Sequence, residues 1–168
     1  MSEYTSISGN ALLEDTEVDF DLFLRADAGG SSNYVLYCRG GEDLSPERRE
    51  ELLSKHADRL CISTGDIDKY IEYQEKNLKT ILSDENKSTR EKSGIVYQVA
   101  TKVVEDLLDN PKSGRNMERI SEWVTHTVGH IIEDDNTFSS LLGVSSHNYQ
   151  LYTHSVNTSV LGLLFGKH

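Results

Sequence analysis

Between Val18 and Leu24 apolar residues take every second position: Val18, Phe20, Leu22 and Leu24 alternate with Asp19 and Asp21, and Arg25 follows. A period of two with one apolar side predicts a half-buried strand. The run Ala28-Gly29-Gly30-Ser31-Ser32-Asn33 predicts a turn and Tyr34 to Cys38 a second strand, so the two form an antiparallel hairpin. Gly40-Gly41 ends that strand. Ser45-Pro46-Glu47 starts a helix, because the serine accepts orphan amide hydrogens and proline suits the first helical position. Leu52, Leu53 and Ala57 give this helix its apolar side, and Arg59 to Ser63 predicts a short third strand through Leu60, Cys61 and Ile62. Residues 1–14 are polar and unpatterned and are expected as a flexible tail.

From Asp66 the period lengthens to that of a helix. Ile67, Tyr70, Ile71, Gln74, Leu78, Ile81 and Leu82 form one stripe at three-four spacing, interrupted only by the glutamine. The polar stretch Ser83 to Ser88 breaks it. A second helix follows, with Val96, Val99, Ala100, Val103, Leu107 and Leu108 inward, stopped at Asn110-Pro111. A third carries Met117, Ile120, Val124, Val128 and Ile131; a shorter apolar piece spans Phe138 to Val144, and Tyr149 to Phe165 is a strongly apolar helical segment. The predicted fold class is α+β: a small β-β-α-β N-terminal module over 15–65, then a mainly α-helical region with 66–148 as a connector.

Composition narrows the function classes. The net charge of −11 over 168 residues repels phosphate backbones and anionic bilayers, which excludes a nucleic-acid polymer or a membrane surface as a direct partner. No stretch approaches the roughly 20 apolar residues that cross a bilayer, and Met1 to Asn10 has neither the basic region nor the apolar core of a signal peptide. A cytoplasmic protein is expected. The two cysteines, Cys38 and Cys61, lie 23 positions apart inside apolar runs and are expected as buried free thiols.

Few residues carry a chemical signature. Gly40-Gly41 lacks the lysine or third glycine of a phosphate cradle and reads as a turn. Glu47, Glu50 and Glu51 interleave with Arg48, Arg49 and Lys55, which makes a solvated face rather than a carboxylate dyad. His126 and His130 have the i, i+4 spacing of a helical metal pair. At 100° per residue, however, their midpoint lies about 140° from the centre of the apolar stripe, so both are expected to face solvent near Trp123. In the last segment His154, Asn157 and Leu161 share a face that continues as apolar. On the residues alone the plainer account is a core histidine satisfied by a neighbour.

The pattern Tyr149-x-x-x-Thr153-His154-Ser155-Val156-Asn157-x-Ser159-Val160-Leu161, followed by Leu163-Leu164-Phe165-Gly166-Lys167-His168, resembles the opening helix of the HD-GYP family. That family comprises metal-dependent phosphohydrolases that cleave cyclic di-GMP in bacterial signalling. The stretch from Val104 to Gly114 and the piece Phe138-Ser139-Ser140-Leu141-Leu142 are similar to the family's lead-in, so the resemblance spans about residues 90–168. Tyr34-Val35-Leu36-Tyr37 and the helix start at Ser45-Pro46 resemble the β-rich input segments placed before such domains. The resemblance implies that 149–168 is the first helix of a truncated HD-type domain and that 15–65 is an input or regulatory module. It also implies that His154 is the first metal ligand in a complete parent holding iron or manganese. The His-Asp dyad, the further ligands and the Gly-Tyr-Pro motif have no counterpart in this sequence, so the chain is expected to hold no cofactor and to be inactive alone. The alternative is a stand-alone interaction or scaffold module; a helical metal module using His126, His130, His147 and His154 is a third reading. The implied partners are the protein's own catalytic domain or a second copy, docked through Leu151, Val156, Val160, Leu161, Leu163, Leu164 and Phe165 of the last helix to give a homodimer.

Overall fold

The computed structural model describes residues 3–14, 16–28, 31–133, 136–145 and 151–166. The chain divides into two compact units, Met1–Gln74 and Glu75–His168. The first holds a small sheet and the second is helical, an α+β protein as its sequence predicts.

The sheet has four strands, β1 (Tyr4–Ser6), β2 (Leu22–Ala28), β3 (Ser31–Cys38) and β4 (Leu60–Ser63), in the order β1-β4-β2-β3 with every pairing antiparallel. The expected β-β-α-β series is therefore preceded by one more strand. Residues 1–14, expected as a flexible tail, supply that strand together with Ala11, Leu12 and Leu13, all buried. The segment is tied down by polar contacts as well. Tyr70 donates to the Ser8 carbonyl at 3.0 Å, the Tyr73 hydroxyl accepts from the Leu13 amide at 2.9 Å, and Arg49 Nε donates to the Leu12 carbonyl at 2.6 Å. Tyr4-Thr5-Ser6 shows no apolar alternation because it lies at the sheet margin and Leu60 and Ile62 of β4 carry the apolar load.

The hairpin is longer than its pattern suggests, since Ala28 already pairs with Ser31. Conversely Val18 and Phe20 are buried ahead of β2, in irregular chain. Gly41 has φ +85°, the left-handed region that glycine enters at little cost, and its amide donates to the Val18 carbonyl at 2.7 Å. This is the turn read from Gly40-Gly41. Helix α1 (Pro46–His56) starts where expected, with the Ser45 hydroxyl accepting from the Arg48 amide. Phe20 sits edge-on to Tyr70 and Tyr73 of α2 (Ile67–Lys76), with ring centroids 5.8 and 6.0 Å apart. Cys38 and Cys61 are buried free thiols.

In the second unit, α3 (Leu78–Ser83), α5 (Gly114–Glu133), α6 (Thr137–Ser145) and α7 (Leu151–Gly166) all pack against α4 (Thr89–Asp109). The single stripe read from Ile67 to Leu82 is split at Asn77, whose ψ of 8° leaves the helical region between α2 and α3. A capping box fixes the start of α4: the Ser88 hydroxyl accepts from the Glu91 amide, and the Glu91 carboxylate accepts from the Ser88 amide at 2.9 Å. Val96, Val99, Ala100 and Val103 are buried as predicted, but Leu108, expected inward, is 48% exposed. Among the described residues no helix is long and apolar enough to cross a membrane.

Candidate functional site

Helix α7 is anchored by Val156 and Val160, both buried, against α4 and α6. Each such side chain contributes about 1.5–3 kcal/mol relative to leaving it in water. Asn157, one position on from Val156, accepts a hydrogen bond from Tyr97 of α4 at 2.8 Å. Val156 and Val160, two of the residues expected to dock on another surface, are thus covered by this chain's own helices. Phe165 is 70% exposed, and the side chains of Leu151, Leu163 and Leu164 lie outside the described residues.

His154 sits one turn before Asn157 and is exposed. The expected inward His-Asn face is therefore split: the asparagine turns toward α4 and the histidine toward solvent. The helix backbone around it is reinforced, since Thr158 donates back to the His154 carbonyl at 2.9 Å and Ser159 to the Ser155 carbonyl at 2.9 Å. His154 is an accessible imidazole on a held helix. One imidazole does not hold a metal centre, and among the described residues no group of three or more His, Cys, Asp or Glu is placed to do so. The residues present do not fit a metal by themselves. His147 lies outside the described residues.

Helix α5 overturns a second expectation. His130 is buried at 4% exposure and His126 is half-buried, so the pair does not face solvent. The reason is that the buried stripe of this helix is partly polar: it runs through Asn116, Trp123, Thr127 and His130, while Met117 is 56% exposed. Asn116, Trp123 and Thr127 tolerate this burial because backbone carbonyls accept from their donors. Asn116 Nδ2 donates to the Asp106 carbonyl at 2.8 Å, Trp123 Nε1 to the Val96 carbonyl at 3.1 Å, and Thr127 to the Trp123 carbonyl at 2.8 Å.

Among the described residues, two cavities of the helical unit stand out. The larger, about 310 Å³, lies between α4, α5 and α7; Val103, Leu107, Ile120 and Val124 give it apolar walls, with Ser155 and Ser159 at the α7 side. The smaller, about 140 Å³, has mixed walls, with Glu75, Arg119, Glu122 and His126 beside Leu78 and Trp123. Arg119 organises it. Its guanidinium donates to both carboxylate oxygens of Glu75, at 2.6 and 2.8 Å, and to Asp106 at 2.7 Å. The hydrogen bonds to Glu75 push the arginine's pKa up further and lock its charge. Burial alone would raise the Asp106 pKa, but the bonds from Arg119 and Lys102 outweigh it and hold the carboxyl below its ordinary range. Sequence reading missed Tyr97 and Arg119. Their partners Asn157 and Glu75 lie 60 and 44 residues away, beyond any local spacing rule.

No family model and no curated protein matches the chain. Among solved structures it is similar to Bd1817, a HDG"Y"P protein from Bdellovibrio bacteriovorus, with a TM-score of 0.54 and 21% sequence identity. The similarity covers 98% of this chain and 53% of that one, so the chain spans about half the length of the protein it matches. At this identity the likeness is one of fold: sheet unit and helices together correspond to part of an HD-GYP protein.

Proposed function

We propose that the chain is the regulatory, input-receiving region of an HD-GYP-type, metal-dependent cyclic di-GMP phosphodiesterase, and that it is not catalytic by itself. The fold likeness to an HDG"Y"P protein extends over nearly the whole chain and so includes α7. The observation that carries the reading is the placement of His154: it is exposed on a helix that Val156 and Val160 pin to its own bundle. An exposed, held imidazole is available to ligands supplied from elsewhere in a longer protein, where a buried core histidine would not be. In such a parent His154 would be one ligand of a metal, whose chemistry would be to polarise the phosphate and activate water. This chain's part is to hold His154 in position on α7.

The test has two arms. The purified 168-residue chain is expected to turn over neither cyclic di-GMP nor an aryl phosphodiester. In a form of the protein extended past His168, His154→Ala is expected to lower bound metal and activity together with the helical signal unchanged, and His126→Ala to leave metal content unchanged. Metal-dependent turnover by the chain itself, or equal metal loss from both variants, overturns the assignment.

A further inference from the structure

The outer strand of the sheet combines three features that the phosphodiesterase reading does not use. First, β3 is a sheet edge of 8 residues with Val35 58% and Leu36 41% exposed. Long exposed edges of this kind are templates for another strand. Second, the hydrogen-bond phase aims part of its backbone outward. The Arg25 amide donates to the Arg59 carbonyl at 2.8 Å, so Arg25 bonds toward the β4 side. In an antiparallel ladder the direction alternates, which makes Leu24 and Ala26 bond to their partners Val35 and Asn33. Tyr34 and Leu36 are left with N–H and C=O groups facing away from the sheet, and no partner for those groups occurs among the described residues. Third, Tyr34 and Leu36 share the sheet face on which Tyr4 stacks with Tyr34 at 4.1 Å and meets Phe23 edge-on at 4.9 Å. That aromatic shelf is half-buried.

Charge decides the occupant. Residues 1–74 hold 16 acidic and 7 basic side chains, a net of −9, whereas residues 75–168 carry a net of −2. Strand β3 itself, Ser31 to Cys38, has no charged residue to steer pairing. A second copy docking edge to edge would bring two units of −9 together, while a basic segment is drawn in by the same field. We propose that the β3 edge is a docking site for an extended, basic segment of a partner protein, which adds a fifth strand beside Tyr34 and Leu36. The added strand's alternate apolar side chains extend the Tyr4–Phe23–Tyr34 shelf, and its basic side chains answer the acidic unit. Main-chain bonds supply the affinity and the shelf and charge the selection.

The test uses the full chain, isotopically labelled, with a blocked peptide of alternating lysine and valine matched to the 8 residues of β3, and a counterpart with glutamate for lysine. Amide exchange is expected to slow at least about tenfold at Tyr34 and Leu36 with the lysine peptide, and to stay unchanged at Asn33 and Val35, which already face β2. Leu36→Pro removes the outward N–H, a change an edge strand tolerates, and is expected to abolish the effect. Leu36→Lys keeps the N–H but repels the peptide, and is expected to weaken binding; unchanged amide protection in β2 and β4 confirms that each variant is folded. Equal binding of the glutamate peptide overturns the charge selection. No protection with either peptide overturns the site. Protection that rises with chain concentration in the absence of peptide assigns the edge to a second copy and overturns the proposal.

Discussion

Tyr97 and Asn157 stand 60 residues apart and meet at 2.8 Å, joining the middle of α4 to the last helix. The bond is partly buried, so removing one partner leaves the other short of a hydrogen bond in low-dielectric surroundings. Tyr97→Phe and Asn157→Ala are each expected to destabilise the helical unit by about 0.5–1.5 kcal/mol. A double-mutant cycle in denaturant is expected to show coupling of similar size, and additivity would mean that the contact contributes nothing. At this scale the sequence was least legible. Residue type alone suggested that Met117, Ile120, Val124, Val128 and Ile131 of α5 face the core and that the histidines face water; Ile131 is buried and Met117 is exposed. The buried stripe instead includes Asn116, Thr127 and His130. Apolar periodicity finds a core only where burial is apolar; where backbone carbonyls accept polar side chains, as those of Asp106 and Trp123 do for Asn116 and Thr127, the pattern misleads.

Elements were read more faithfully than residues because their signals are local. Ser45-Pro46 and the Ser88–Glu91 box state their helix starts within four positions, and Asn110-Pro111 states an end. What eluded the pattern was β1, whose three residues owe their strand to the partner across the ladder, and the break at Asn77 inside a continuous stripe. For α7 the candidate site was half legible: the His154 segment marked the helix, but which side of it packs was settled only by α4 and α6. That division gives an expectation for the element. Val160→Ala is expected to cost about 1–3 kcal/mol of helical stability, because the site is closed. Phe165→Ala, on an exposed side chain, is expected to stay within about 0.5 kcal/mol. Denaturant titrations of the two variants check the contrast; equal losses would mean that α7 is held along its whole length.

Across the whole molecule the charge is uneven, and the less charged half, residues 75–168, contains Asp84 and Asp106, carboxylates held by ion pairs. Hydrogen bonding from Lys87 holds the Asp84 carboxyl below its ordinary pKa, and Asp106 is held low by Arg119 and Lys102 against the effect of burial. A carboxyl whose folded pKa is depressed adds stability above its unfolded value, near 3.9, and loses it as pH falls toward the folded value. The helical unit is therefore expected to melt at a nearly constant temperature between about pH 7 and pH 5, and at falling temperatures below about pH 4. Asp106→Asn is expected to flatten the acid limb, as followed by helical circular dichroism. An unchanged limb in that variant would remove the Arg119 cluster from the account.

The two thiols offer a clock on one half of the molecule. Cys38 and Cys61 both belong to the sheet unit, and residues 75–168 contain no cysteine. Both are buried at 2% exposure, and burial pushes the Cys38 thiol's pKa up, so neither reacts until the sheet opens. Alkylation of the native chain thus reports the opening frequency of β3 and β4 while staying blind to the helices. Leu60→Ala is expected to speed labelling through a weakened sheet core, and Val160→Ala to leave it as it was. If Val160→Ala speeds it too, thiol labelling is not a clock on the sheet unit alone.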